Sequence, residues 1–340
     1  MHKFNKEIRG RKLLLSGLLI FLLIIFTACS TEENNTVENE NQNTTEDNLE
    51  EVSIDIEDGT LHGTLTLTES TEPVPVVLII PGSGPTDRRG NSPITGENNS
   101  LKMISDRLTE SDYPSLRYDK RGIGESDNVK TSEQELRFED FVSDVVEWVE
   151  FLEKDDRFSD IYILGHSQGS LTGMLAAQEI KLDGFISMAG AGESIADTLR
   201  VQIKTLSPKL EEEAENILNS LEKGETVSEV SNSLKNIFRP SVQPFLISYM
   251  KYDPAEEIKE IDIPVLIIQG TTDLQVSEKD ARQLKEAYPR ARIEIIEGMN
   301  HILKEAPADS EQNINTYSKP DLPLADGLME VIVEFVEKHS

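Results

Sequence analysis

The stretch Asp160–Gly173, DIYILGHSQGSLTG, constrains this chain more than any other. Ile161–Leu164 form a short apolar run with two isoleucines, the look of a buried strand. Gly165-His166-Ser167-Gln168-Gly169 follows at once, and Leu171, Met174 and Leu175 then recur at helical spacing. A serine between two glycines, at a turn from strand to helix, sits on a sharp corner where side-chain clashes are avoided and the hydroxyl projects above the sheet. Ser167 is therefore the candidate nucleophile. The alternative is a glycine-rich turn whose serine only caps the next helix.

Around this turn, strand and helix patterns alternate. Val52–Ile56 and Leu61–Leu67 flank Asp58-Gly59, a hairpin signal. Val74–Ile80, Ser115–Tyr118, Gly184–Ala189, Pro264–Gln269 and Arg292–Ile296 read as further strands. Helical patterns run through Leu101–Leu108, Phe141–Leu152, Ser277–Ala287 and Leu324–Lys338. The expected class is α/β, a mostly parallel central sheet with helices on both faces and the hairpin as an antiparallel edge. Gly192–Ile258 breaks the rhythm with helical spacing and no strand. We expect a core over 51–190 and 259–340 and an inserted helical cap over 191–258, at the carboxyl ends of the strands where open α/β sheets bind ligands. A helical excursion packed elsewhere is the alternative.

A serine hydroxyl needs a base to take its proton and a third group to orient that base. With a strand–serine–helix turn, the acid and then the histidine follow the nucleophile along the chain. Two histidines do so, His301 and His339. His339 is the penultimate residue, whereas His301 lies in the loop after the Arg292–Ile296 strand, so His301 is the candidate base. Asp273 directly follows the apolar run Val265–Ile268 and is the candidate acid, in preference to Asp253, Asp262 and Asp280; its alternative role is a turn cap. The oxyanion of a tetrahedral intermediate needs two preorganised N–H donors. The backbone of Gln168 supplies one. The loop Pro81-Gly82-Ser83-Gly84-Pro85 supplies the other, from Ser83 or, failing that, Gly84. A phosphate-binding role for that loop fits less well, because it lacks the Lys-Ser/Thr pair and the dinucleotide glycine spacing.

Residues 1–28 combine five basic residues with a long apolar run and read as a signal peptide. Phe26-Thr27-Ala28-Cys29 resembles a bacterial lipobox, with Phe26 where Leu is usual. Cys29 is the one cysteine of 340 residues, so an intramolecular disulfide is excluded and a lipidation site is the expectation. An uncleaved anchor or ordinary signal cleavage remains open. Residues 29–50, rich in Glu, Asn and Thr, read as a disordered tether. The expected location is the outer face of a bacterial cell membrane, or the medium if the protein is secreted. Net charge is −30; without residues 1–28, which carry five basic residues and one acid, it is −34. Such a chain has no electrostatic route to nucleic acid. The five histidines are scattered, with no metal-binding spacing.

Taken together, PGSGP, YDKRGIGES, GHSQG, GTTD and MNH occur in an order that resembles the α/β-hydrolase superfamily over about residues 51–340, and PGSGPTD with Asn91 looks like a bacterial esterase branch. The resemblance implies an α/β-hydrolase fold, a Ser-His-Asp hydrolase and no cofactor. It also implies that Asp119–Ser126 is a structural loop beside the site. Pro81 replaces a frequent histidine, and the cap is unmatched. The expected activity is a carboxylesterase acting on small-molecule esters of short to medium acyl chains. An aminopeptidase or amidase of the same fold is the rival, motivated by Glu211, Glu212, Glu213 and Glu215 in the cap; a non-catalytic binding lipoprotein is a third reading.

Overall fold

The computed structural model describes residues 48–129 and 131–340. The expected signal peptide, Cys29 and the tether as far as residue 47 lie outside the described residues. Among the described residues eight strands form one sheet in the order β1-β2-β4-β3-β5-β6-β7-β8. They are β1 Leu49–Ile56, β2 Gly59–Thr66, β3 Val74–Ile80, β4 Ser115–Tyr118, β5 Phe158–His166, β6 Gly184–Met188, β7 Val265–Gly270 and β8 Arg292–Ile296. From β4 to β8 neighbours run parallel, while β2 is antiparallel to both β1 and β4. The antiparallel edge thus sits where the hairpin pattern placed it.

Several boundaries differ from expectation, β5 extending to Phe158–His166 beyond its apolar run among them. Ile56 pairs with Gly59, so the hairpin turns on Glu57-Asp58 rather than Asp58-Gly59. β1 starts at Leu49, inside the expected tether, because Leu49 and Glu50 pair with Thr66 and Leu65 and the Glu50 carboxylate takes both Arg157 terminal nitrogens at 3.0 Å. The last helix starts at Leu328, not Leu324, since Leu324 bridges Lys304 and Gly327 (φ +79°) turns the chain before the helix opens.

Period-two alternation sorts each central strand between two apolar layers. Val77, Ile79, Tyr162, Leu164, Ile186 and Ile268 face the helices α1 (Ser100–Thr109) and α11 (Leu328–His339). Val76, Leu78, Ile161, Ile163, Phe185 and Ile267 face α2 (Phe138–Glu153), α3 (Gln168–Glu179) and α9 (Glu278–Ala287). The short α10 (Ser310–Ile314) lies in the loop region before α11.

Between β6 and β7 the regular elements are all helices: α4 Ile195–Leu206, α5 Glu211–Leu221, α6 Lys235–Phe238, α7 Gln243–Tyr249 and α8 Pro254–Glu257. These helices do not pack as a free excursion. Their buried Leu199, Leu218, Phe238 and Phe245 merge with the α2–α3 layer. Phe138 stacks flat on Tyr249 with ring centroids 4.3 Å apart, and Phe141 meets Phe245 edge-on at 5.8 Å. Glu133 binds Arg239 and Ser241, and Glu139 accepts from Lys251 at 2.9 Å and Tyr252 at 3.0 Å.

Phe138 is fully buried at this seam. Phe138→Ala removes its stacking and leaves a cavity, and should cost about 3–5 kcal/mol. Denaturant unfolding checks this through a lower midpoint at unchanged slope; a loss under about 1 kcal/mol would mean that the seam does not carry the cap.

Candidate active site

β5 sits mid-sheet between β3 and β6, and its last turn delivers Ser167 at the carboxyl edge of the parallel strands. Glycine is required on both sides. A Cβ on Gly165 would strike the Gly169 carbonyl oxygen, and one on Gly169 would lie 2.6 Å from that of Ile80. Ser167 itself adopts φ +54°, ψ −119°, a costly conformation for a residue with a Cβ. Its N–H donates to Met188 O at 2.9 Å, which holds the corner. Although Ser167 occupies the N-cap of α3, its side chain makes no capping bond.

The hydroxyl meets His301 instead. Ser167 Oγ lies 3.1 Å from His301 Nε2, and His301 Nδ1 lies 2.8 Å from Asp273 Oδ2. The three sequence-predicted residues, from the loops after β5, β7 and β8, are thus brought into one hydrogen-bonded line. The Asp273 side chain is fully buried. Its Oδ1 accepts from the N–H of Gln275 at 2.7 Å and Val276 at 3.0 Å, so it serves as a turn cap as well as His301's partner. Burial alone would raise its carboxyl, but the His301 charge and hydrogen bond and these N–H groups outweigh it and hold Asp273 below its ordinary value. The competing acids are engaged elsewhere: Asp253 and Asp280 cap helices and Asp262 pairs with Arg290. His339 packs on Phe335 at the end of α11.

Ser83 and Gln168 both line the space at Ser167, and their N–H groups find no acceptor among the described residues. Gly82 abuts the serine, since a Cβ there would lie 3.2 Å from Ser167 Cβ. The loop beyond is pinned by Asn91, whose Oδ1 accepts from the N–H of Asn98 and Asn99, each at 2.8 Å. Asp119–Ser126 clamps the surroundings. Asp119 takes Arg88 Nε at 3.0 Å, Arg121 takes Asp144 through two nitrogens, and Lys120 Nζ donates to the carbonyls of Gly82 and Gly84.

Two recesses open from Ser167. One lies against the inserted helices α4 and α7, walled by Leu171, Ile195, Leu246, Tyr249 and Val276 beside Gln168. The other lies beside His301, with Thr86, Ser92, Thr95 and Asn98 as well as Pro85 and Ile302 on its wall. Glu211, Glu212, Glu213 and Glu215 line neither; Glu215 pairs with Arg200, Glu211 with Lys204, and Glu213 accepts from Ser231 N–H. Among the described residues no group of three or more His, Cys, Asp or Glu could hold a metal ion.

Three supporting residues had no role in the sequence reading. Gln269 Nε2 donates to Asp273 Oδ2 at 3.0 Å and Val276 O at 2.9 Å. Asn300 Oδ1 accepts from Lys304 N–H at 3.1 Å, closing the loop that carries His301. His166 is buried and has its Nε2 2.8 Å from the His301 carbonyl. Burial first, then the neighbouring His301, pushes the His166 imidazole down to about 3, so the neutral ring donates this bond. Its place inside the GHSQG turn was the one available signal.

This has a pH consequence. Between its ordinary 6.5 and about 3, the unfolded chain takes a proton at His166 that the folded chain refuses, so stability falls as pH falls through that window. Melting temperatures from pH 7 to 4 should fall less steeply for His166→Gln than for wild type. Parallel slopes would mean that His166 is not held neutral.

Residues 97–306 match the family described as Serine aminopeptidase, S33. Esterase EstD of Thermotoga maritima is 29% identical over 256 residues, 72% of this chain and 58% of that protein, so the chain spans less than two thirds of this relative's length. Est1E from Butyrivibrio proteoclasticus with ferulic acid bound superposes at a TM-score of 0.54 and 19% identity, over 84% of this chain and 96% of that one. The α/β hydrolase GrgF from Penicillium sp. sh18 gives 0.55 at 19% identity, over 86% and 98%. These two share the fold. With most of its length matched and its sheet of this architecture, the chain belongs to the Serine aminopeptidase, S33 family of the α/β-hydrolase superfamily.

Proposed function

We propose that the protein is a carboxylesterase-type serine hydrolase. The observation that carries this reading is the unbroken line from Ser167 Oγ through His301 to buried Asp273, at 3.1 and 2.8 Å, on a corner whose serine makes no capping bond. Ser167 Oγ attacks the ester carbonyl carbon while its proton passes to His301 Nε2. Asp273, kept ionised, stabilises the imidazolium and fixes its tautomer. The N–H groups of Ser83 and Gln168 receive the oxyanion. His301 returns the proton to the departing alkoxide, and water then cleaves the acyl-enzyme by the same base.

The recess beside Gln168 suits the acyl group, because it lies away from His301, where the alcohol must be protonated. The cap helices α4 and α7 close its wall with Ile195, Leu246 and Tyr249, which favours short to medium chains. The rival aminopeptidase reading draws on the family description and on Glu193 and Asp280 at that recess. Glu193, however, pairs with Lys279, and Asp280 accepts from the N–H of Gly192 and Ser277 and from the Ser277 hydroxyl. Neither carboxylate is left over for a substrate amine. We also read residues 1–28 as an export signal and Cys29 as a lipid acceptor that holds the core (51–190 and 259–340) and cap (191–258) at the outer membrane face; mass spectrometry of the mature N-terminus tests this.

Hydrolysis of p-nitrophenyl esters from acetate to palmitate should peak at short or medium chains and exceed turnover of an aminoacyl p-nitroanilide. Ser167→Ala should fall about a thousandfold or more, and Asp273→Asn by a comparable factor. Faster turnover of the anilide would favour the aminopeptidase, and equal rates for wild type and Ser167→Ala would remove Ser167 as nucleophile.

A further inference from the structure

An oxyanion donor works only if its peptide plane is fixed before the reaction. Gly82-Ser83-Gly84 has little stiffness of its own, with a glycine on each side of the donor and Gly84 at φ +69°. The N–H of neither Ser83 nor Gly84 finds an acceptor among the described residues, so the carbonyl side must set the orientation.

Lys120 sets it. The residue stands two positions beyond β4, and β4 runs parallel beside β3, so its side chain lies along the loop that leaves β3. Nζ donates to the carbonyl oxygen of Gly82 and, at 2.8 Å, to that of Gly84. No carboxylate pairs with it among the described residues; the one aromatic face nearby is Phe141, with its centroid 5.8 Å away. Lys120 is 4% exposed, and burying an ammonium this way is costly, whereas a methionine would fill the same volume without desolvating a charge. Among the described residues every peptide bond is trans, so the Gly82 carbonyl and the Ser83 N–H point in opposite directions. Turning the carbonyl to Lys120 turns the N–H away from it, toward the side where Gly82 abuts Ser167 and Ser83 lines both recesses. A donor held on the carbonyl also polarises the peptide and strengthens its N–H as a donor.

We propose that Lys120 is a positioning residue of the oxyanion site: it clamps the carbonyls of Gly82 and Gly84 and thereby aims the Ser83 N–H at the substrate oxygen. This rests on the serine-hydrolase reading above. Lys120→Met keeps the length of the side chain and removes its donors. Its kcat on the best p-nitrophenyl ester should fall about 10- to 100-fold with KM within about twofold, because the lost interaction belongs to the transition state. A boronic acid inhibitor, whose tetrahedral adduct carries the oxyanion, should weaken by the same factor. A merely structural lysine would lower the melting temperature without that matched loss. Lys120→Gln, which keeps a shorter donor, should fall between the two. Unchanged kcat and boronate affinity in a folded Lys120→Met overturn the proposal, and so does failure of both variants to fold, which would make the residue a support of the fold. Absence of ester turnover and of fluorophosphonate labelling in wild type would instead sink the hydrolase reading itself.

Discussion

The whole site depends on one steric constraint: β5 and α3 meet with no room for a side chain two residues before or two residues after the serine. Because the Gly165 position points into the Gly169 carbonyl and the Gly169 position into that of Ile80, the chain must turn within a single residue. Ser167 absorbs the turn in a conformation worth of order 1–3 kcal/mol of strain, which the surrounding sheet over-determines. β5 is central and its neighbours are parallel, so the loops after β3, β7 and β8 converge at the same edge of the sheet. Each brings one of the proposed roles: donor, acid and base.

Much of this was legible in the sequence because it is local. A strand of branched residues, a glycine-flanked serine and a helical repeat share fourteen consecutive positions, and elimination among two downstream histidines singles out His301. The strand spans were read to within a residue or two, apart from β5, whose ends extend beyond the apolar run, and the start of β1. Three kinds of feature were not legible. Cross-strand pairing moved the turn to Glu57-Asp58 and pulled Leu49 into the sheet. A left-handed Gly327 delayed the last helix. Lys120 and His166 act through carbonyls of residues 38 and 135 positions away, and no spacing rule reports such a partner.

Charge misleads in a different way. A chain of net charge −30 invites the idea that a cap rich in glutamate holds a cationic group. In the folded chain Glu211, Glu213 and Glu215 are engaged within the inserted helical segment, and Arg200 alone joins Asp197, Glu215 and Glu222. Exposed pairs of this kind contribute little each, and their arrangement fixes how α4 lies against α5 rather than what the site binds.

β1 runs in the same direction as the parallel strands, because two antiparallel steps separate it from β4. Leu49 therefore lies at the edge of the sheet opposite Ser167, Asp273 and His301, beside Arg157 at the amino end of β5. An attachment through the residues before Leu49 would therefore leave from the side of the domain away from the site, and whatever it joined would not obstruct the mouth.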